Sequence, residues 1–278
     1  MSWLSVKAAE QISSERAEEM NIALVQSHII WEDRDSNIAA FEKTVSENAG
    51  VDLFLLPEMS FTGFSMNTAK TADRDRETLR EMKRIAVRYD TAVGFGWVRP
   101  AGEKCENVYT VVDKNGADVY NYAKIHPFSY SGEDRFFSGG TDVSGFELGG
   151  IPFSIFICYD LRFPELFRCI CDDVHAVIIP ANWPAKRSEH WKALLRARAI
   201  ENQVYIFAVN CAGEINGLQY SGDSCVISPN GDVQEILSDR EGIIKYEFTD
   251  DVQRYRRSFP VLKDRKPNSF YSRFSLEE

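Results

Sequence analysis

Apolar residues along the chain fall into two kinds of segment, continuous runs and helically spaced stripes. The continuous runs are typical of strands buried on both faces of a sheet, and the stripes at three- and four-residue spacing are typical of amphipathic helices. The predicted strands cover 21–27, 51–56, 91–98, 152–157, 176–179 and 204–209. The predicted helices cover 35–48, 74–89 and 188–201, and a short helix begins at Pro164. Ser188 is predicted to cap the third of these helices.

Turn residues add two hairpins to this pattern. Asn115-Gly116 and Pro229-Asn230-Gly231 each lie between strand-like segments, and both are favourable turn sequences. The alternation of strands and helices, without a Pro/Gly/Ser-rich linker, predicts a single α/β domain with mixed sheets. In such folds functional groups gather just beyond the carboxyl ends of strands.

Composition narrows the classes of function. The chain has 278 residues, a net charge of −10 and a pI near 5.1, so it lacks the basic surface that nucleic acid or an anionic membrane requires. Six widely spaced cysteines without a CxxC pair, and four histidines without ligand spacing, indicate reduced thiols in the cytoplasm and no metal site. The charged residues 1–20 do not resemble a signal peptide, and no run is long enough to span a membrane.

Three polar residues directly follow apolar runs. Glu58 ends LFLLPE, Lys124 lies in NYAKIHPF, and Cys158 ends FSIFIC. Taken singly, each has an ordinary structural explanation, as a solvent-facing acid, a surface lysine and a buried core thiol. Taken together, they supply a base, a fixed positive charge for an oxyanion, and a nucleophile beside a helix start.

These motifs resemble those of the nitrilase superfamily of carbon–nitrogen hydrolases, whose Glu–Lys–Cys triad matches Glu58, Lys124 and Cys158. The family's second glutamate corresponds to Glu133 in SGEDRFFSGG. The segments LPEMSFTGFSM, CYDLRFPELFR, ANWPAKRSEHW and LLRARAIENQVY are similar to the bacterial omega-amidase branch, which deamidates 2-oxoglutaramate, 2-oxosuccinamate and related monoamides of dicarboxylic acids.

The resemblance implies a four-layer α-β-β-α sandwich over 21–260, preceded by an N-terminal extension at 1–20. It also implies a homodimer or higher homo-oligomer, with a tail at 261–278 that in such families often crosses to the partner subunit. It implies a thioester route without a cofactor, in which Glu58 moves protons and Lys124 and the backbone N–H of Tyr159 hold the oxyanion. Glu133 would orient Lys124 or the incoming group.

Alternatives stay open from the sequence. A Cys–His hydrolase using His126 or His190 would leave Glu58 and Lys124 unexplained, whereas an N-carbamoyl amidohydrolase would use the same triad. A non-catalytic binding protein with the same fold is a third hypothesis, which the intact triad disfavours. The predicted substrate-binding residues are Phe64, Tyr130, Asn182, Trp183 and Arg187, although packing would explain Trp183 and exposure in a loop would explain Arg187.

Overall fold

Two mixed β-sheets form the centre of the protein in a computed structural model that describes residues 19–266 and residue 270. The first sheet has the strand order β13-β1-β2-β3-β4-β5, and the second has the order β10-β11-β9-β8-β7-β6 with β12 paired to β11. The strands of the first sheet are β1 Glu19–Gln26, β2 Leu53–Leu55, β3 Ala92–Ala101, β4 Lys104–Val112, β5 Asp118–Ala123 and β13 Gly242–Thr249. The strands of the second are β6 Phe146–Leu148, β7 Ile151–Ile155, β8 Ala176–Ala181, β9 Tyr205–Asn210, β10 Ala212–Ile215, β11 Leu218–Ile227 and β12 Val233–Ser238.

The centre of each sheet is parallel and its edges are antiparallel. In the first sheet β2 pairs in parallel with β1 and β3, and in the second β8 pairs in parallel with β7 and β9. The hairpins β3–β4, β4–β5 and β11–β12 are antiparallel. Because parallel neighbours share a direction, the carboxyl ends of β2 and of β7 and β8 each lie at one edge of their sheet.

Helices cover the outer faces. They are α1 Arg34–Ser46, α2 Thr68–Thr71, α3 Glu77–Tyr89, α4 Pro164–Ile170, α5 Ser188–Asn202 and α6 Val252–Ser258. Short 3₁₀ turns lie at Ser129–Ser131, Glu133–Arg135, Cys158–Arg162, Ala185–Arg187 and Val261–Asp264. One apolar cluster packs α1 and α3 against the first sheet, and the largest cluster joins the two sheets to each other and to α4 and α5. This arrangement confirms the predicted α-β-β-α sandwich.

Most of the predicted segments begin and end within three residues of the helices and strands in the structure. No prediction covered the helices α2 and α6 or the strands β6, β10 and β13. The prediction that Ser188 caps α5 is wrong, because Ser188 is already in the helix and its hydroxyl donates to Asp223 Oδ2 at 2.7 Å. Residues 1–18 of the predicted extension and most of the predicted tail lie outside the described residues.

Candidate active site

The three predicted triad residues come together between the two sheets. Glu58 follows β2 and Lys124 follows β5, so both belong to the first sheet, whereas Cys158 follows β7 of the second. Glu58 is fully buried and Lys124 is 1% exposed. Charged groups are buried this deeply only when they are paired, so the contacts between them determine how the site works.

The Lys124 ammonium lies between two carboxylates. Its Nζ donates to Glu58 Oε1 at 2.8 Å and to Glu133 Oε2 at 2.9 Å. Glu133 is fully buried, and its Oε2 also accepts from the backbone N–H of Phe128 at 2.5 Å. The second glutamate therefore holds the ammonium and anchors the loop that begins at Phe128.

Two asparagines complete the shell around Glu58. The backbone N–H of Asn182, at the end of β8, donates to Glu58 Oε2 at 2.9 Å, and Asn182 Nδ2 donates to the Glu58 carbonyl at 2.5 Å. Asn107 Nδ2, on β4, donates to Glu58 Oε1 at 2.7 Å. The sequence analysis did not single out Asn107, because an asparagine within a strand carries no motif; its alternation with apolar strand neighbours was the one available signal.

Cys158 is the first residue of the 3₁₀ turn that follows β7, and its backbone is strained. Its φ of +48° lies in the left-handed region, which non-glycine residues adopt at a cost of about 1–3 kcal/mol and which clusters at active sites. Asp160 supports the turn, because its carboxylate accepts from the backbone N–H of Ile157 at 3.2 Å and from Tyr122 OH at 2.8 Å. The N–H of Tyr159 stands in the first turn of this 3₁₀ segment, where N–H groups lack partners within the helix.

His126 helps to hold the turn that carries Cys158, and its ring is not directed at the thiol. Its Nδ1 contacts Asp160 Oδ1 at 2.8 Å, and its ring stacks on Phe163 with centroids 3.7 Å apart. The Nδ1 of His190 lies 3.4 Å from Arg162. The residues that line the pocket above Cys158 include no histidine within the described part of the chain. The geometry therefore gives no support to a Cys–His pair.

Burial and charge set the protonation of the site at rest. Burial raises the pKa of the Cys158 thiol well above its ordinary value, and the Glu58 carboxylate raises it further while Lys124 opposes the shift. Burial also raises the pKa of Glu133. Burial disfavours the charge of Lys124, but Glu133 and Glu58 outweigh it and raise the pKa of the ammonium well above its usual range. Cys158 is therefore a neutral thiol that needs a base before it can attack.

A pocket of about 180 Å³ opens above Cys158 and Lys124. This volume is below the roughly 300–1,000 Å³ of sites for drug-sized ligands, so the pocket suits a small molecule. All five predicted substrate-binding residues line it: Phe64, Tyr130, Asn182, Trp183 and Arg187. Trp183 is 3% exposed and its Nε1 donates to the Arg187 carbonyl at 2.8 Å, so it also packs in the core.

Cationic side chains stand around this pocket. Arg162 and Lys186 line it together with Arg187, and the sequence analysis assigned the first two no role. The Arg162 guanidinium lies 4.8 Å from the Trp183 ring centroid, and that of Arg187 lies 5.3 Å from the Phe128 ring centroid. No carboxylate of residues 19–266 forms an ion pair with any of the three, so they are available to an anionic ligand.

Neither metal ligation nor a membrane span emerges from the described residues. Over 19–266 and 270, His, Cys, Asp and Glu nowhere form a group of three or more suited to a metal ion. No helix in the same ranges combines the length and apolar character needed to cross a membrane.

Comparison with known proteins agrees with this geometry. The family model described as carbon–nitrogen hydrolase matches residues 21–257. The 2-oxoglutaramate amidase of Bacillus subtilis (strain 168) is 34% identical over 253 residues, which cover 87% of this chain and 96% of that protein. Omega-amidase YafV of Yersinia enterocolitica is 32% identical over 248 residues, which cover 88% of this chain and 96% of the relative.

A solved structure shares both fold and sequence. XC1258 from Xanthomonas campestris, described as a CN-hydrolase superfamily protein with an arsenic adduct in the active site, superposes with a TM-score of 0.85. It is 30% identical, and the match covers 93% of this chain and 99% of that one.

Proposed function

The chain belongs to the carbon–nitrogen hydrolase (nitrilase) family, near its omega-amidase branch, and we propose that it is an amidase acting on small monoamides of dicarboxylic acids such as 2-oxoglutaramate and 2-oxosuccinamate. The observation that carries the proposal is the pocket itself. The Lys124 ammonium and the Cys158 thiol line it, the buried Glu58 carboxylate lies behind them on Lys124, and three cations without carboxylate partners among the described residues stand around it. An amide with a carboxylate at its far end would satisfy both ends of such a pocket.

In the proposed reaction Glu58 takes the proton of Cys158, and the sulfur electron pair attacks the amide carbonyl. The negative charge that develops on the carbonyl oxygen is held by Lys124 and by the N–H of Tyr159. Glu58 then gives its proton to the leaving nitrogen, the C–N bond breaks, and ammonia departs from the thioester. A water that loses its proton to Glu58 attacks the thioester, which releases the carboxylic acid and restores the Cys158 thiol.

Substrate class rests on the cations at the mouth. Arg187 has a planar guanidinium that can bind a carboxylate through two parallel hydrogen bonds, and its position on the Phe128 ring limits its movement. The second candidate, an N-carbamoyl amidohydrolase, is supported by the same cations, because N-carbamoyl amino acids also carry a carboxylate. The six free cysteines support a reducing, cytoplasmic location, and a homo-oligomer is proposed on the resemblance alone.

Ammonia release from 2-oxoglutaramate, 2-oxosuccinamate, succinamate, N-carbamoyl amino acids and neutral propionamide tests the proposal. We expect the anionic monoamides to give the highest kcat/KM and Cys158→Ala to give no turnover. The N-carbamoyl hypothesis predicts instead that carbon dioxide accompanies ammonia. If the wild-type protein releases ammonia from none of these compounds, the amidase proposal is wrong.

Propionamide, the neutral substrate of this panel, is the control for the role of Arg187. We expect Arg187→Met to raise KM for anionic monoamides about 10- to 100-fold, the effect of losing a hydrogen bond to a charged group. KM for propionamide should stay within about twofold, because that substrate has no carboxylate. An equal loss on both substrates would contradict the assignment of Arg187 to the carboxylate.

A further inference from the structure

Asn107 lies between the two carboxylates of the site, and the reaction described above gives it no role. It is 2% exposed on β4, where it pairs with Val98 of β3. On its other side, the backbone carbonyl of Asn107 accepts a hydrogen bond from the backbone N–H of Lys124 at 2.9 Å. Because both neighbours fix the main chain, the direction of the Asn107 side chain is set by the sheet.

The hydrogen bonds to Glu58 distinguish its two carboxylate oxygens. Oε1 accepts from Asn107 Nδ2 at 2.7 Å and from Lys124 Nζ at 2.8 Å, whereas Oε2 has a single donor within the described residues, the Asn182 backbone N–H at 2.9 Å. A carboxylate oxygen has about two acceptor positions. Oε1 is therefore filled, and Oε2 keeps one position open for a proton.

The same amide group reaches the second carboxylate. Asn107 Nδ2 donates to Glu133 Oε1 at 3.0 Å, so its hydrogen bonds go to two acids that would otherwise repel each other. Asn107 Oδ1 is buried and has no hydrogen-bond partner in the described part of the chain. The sheet sets the direction of the side chain, and the two carboxylates explain why the NH2 group faces them although this leaves the buried oxygen unpaired at a cost.

We infer that Asn107 is a positioning residue that holds Glu58 Oε1 and directs the Cys158 proton to Glu58 Oε2. The inference rests on the proposed function only in taking Glu58 as the base. In the step concerned, the Sγ–H bond of Cys158 breaks, the proton bonds to Oε2, and the electron pair stays on sulfur. Donors to a carboxylate stabilise its charged form, so removing Asn107 makes it easier for a proton to stay on Glu58.

The test compares Asn107→Leu and Asn107→Ser with the wild-type protein. The readout is the pH dependence of Cys158 alkylation by iodoacetamide, followed by mass spectrometry of the Cys158 peptide. For Asn107→Leu we expect the midpoint to move up by about one pH unit, the size that follows from losing a hydrogen bond to a charged group. Asn107→Ser retains one donor and should give a smaller shift in the same direction.

Thr110→Val is the matched control. Thr110 is fully buried on the same strand, and its hydroxyl donates to Asn121 at 2.7 Å and accepts from Trp97 at 2.8 Å, away from both carboxylates. The control loses comparable buried hydrogen bonds, so we expect it to destabilise the fold while leaving the alkylation midpoint in place.

The possible outcomes separate this inference from the proposed function. An alkylation midpoint that is unchanged in both Asn107 variants, or that moves equally in Thr110→Val, would overturn the positioning role. Because alkylation does not depend on the substrate, a shifted midpoint in a protein that hydrolyses no amide supports Asn107 while rejecting the amidase proposal. For an active enzyme, the acid limb of kcat/KM should move with the alkylation midpoint.

Discussion

Lys124 has the most demanding environment of any single residue in the site. A lone buried ammonium is strongly disfavoured, and two buried carboxylates repel each other, so each of the three charges is tolerated because of the others. Each of the three, taken singly in the sequence, has an ordinary surface explanation. Their burial follows from a contact between residues that are far apart in the chain, which composition and periodicity do not encode.

Replacing Lys124 by Met should destabilise the protein in a pH-dependent way. Burial already raises the pKa of Glu133, and without the opposing ammonium that pKa lies further above the unfolded value of about 4.3. A raised pKa contributes stability below the unfolded value, and that stability is lost as pH rises through the folded value. We expect a deficit in the free energy of unfolding of about 3–5 kcal/mol at pH 8, and a smaller one at pH 5.

Urea unfolding at pH 5, 6.5 and 8 measures this deficit. Lys83→Met is the control, since the Lys83–Asp118 pair is 2.8 Å long but more than a third exposed on both sides, and such pairs contribute about 0–1 kcal/mol. A Lys124→Met deficit that does not change with pH would show that the carboxylates do not take up a proton when the ammonium is removed. Turnover should fall at least about 100-fold, as it does when an oxyanion donor is lost.

The cysteines and histidines show that residue type alone does not identify a nucleophile or a base. Cys211 is buried whereas Cys158 is half-buried, and the Cys211 thiol donates to Asn182 Oδ1 at 3.3 Å with no motif around it. His126, a plausible base from its type, is held by Asp160 in the turn that supports Cys158. The motif around Cys158 predicted that cysteine as the nucleophile, whereas the partner of each histidine could be seen only in the folded chain.

At the scale of elements, strand β3 explains how Glu58 is placed. The backbone of Gly96 forms two hydrogen bonds with Ser60 of the Glu58 turn, donating to the side-chain Oγ at 2.9 Å and accepting from the backbone N–H at 3.0 Å. A Cβ at Gly96 would lie 2.3 Å from the backbone nitrogen of Met59. Glycines such as those in AVGFGWV usually destabilise a strand, but at Gly96 the missing side chain lets the Glu58 turn approach the sheet.

Gly96→Ala should therefore displace Glu58. Because the contact is with backbone, relief requires the turn to move, and a displacement of about 1 Å can cost about 100-fold in rate. We expect kcat/KM to fall at least that far, with a loss of about 1–3 kcal/mol in the free energy of unfolding from overpacking. Kinetics and urea unfolding on the same preparation measure both effects.

Gly102→Ala provides the comparison. Gly102 has a φ of +65° but no heavy atom within 4 Å of an added Cβ, so its replacement costs backbone strain alone. Activity should remain near that of wild type. If Gly96→Ala were as active as Gly102→Ala, the close approach of β3 would not be what positions Glu58.

The strands that were not predicted, β6, β10 and β13, were missed for two different physical reasons. β6 and β10 are only three and four residues long, too short for a period of two to stand out. β13 alternates clearly, with Ile244 and Phe248 buried, but it pairs with β1 from the far end of the chain. Local patterning could have identified β13 as a strand, yet its position beside β1 is a property of the complete sheet.

At the scale of the whole molecule, the site depends on how the two sheets stack. Glu58, Lys124 and Glu133 come from the side of the first sheet, and Cys158 and Asn182 from the second. The hydrogen bonds from Asn182 to Glu58 and from Tyr122 to Asp160 join the two sides directly. The family resemblance predicted this stacking, but the residues that connect the sheets were not identifiable from their motifs.

The opposite end of the sandwich should contribute stability without contributing to catalysis. Phe248 of β13 pairs with Met20 near the start of β1, away from the carboxyl ends that carry the site, and its ring meets Phe207 of the second sheet at 5.3 Å. Phe248→Ala should lower the free energy of unfolding by about 3–5 kcal/mol, because it leaves a cavity between the sheets. At 15 °C, where the variant is still folded, kcat should stay within about twofold of wild type.

Phe259→Ala is the control. Its side chain is 57% exposed, so the free energy of unfolding should change by less than about 0.5 kcal/mol. A large loss of kcat in folded Phe248→Ala would mean that packing at one end of the sandwich controls the distance between Glu58 and Cys158 at the other, and that the two sheets do not act as independently rigid supports.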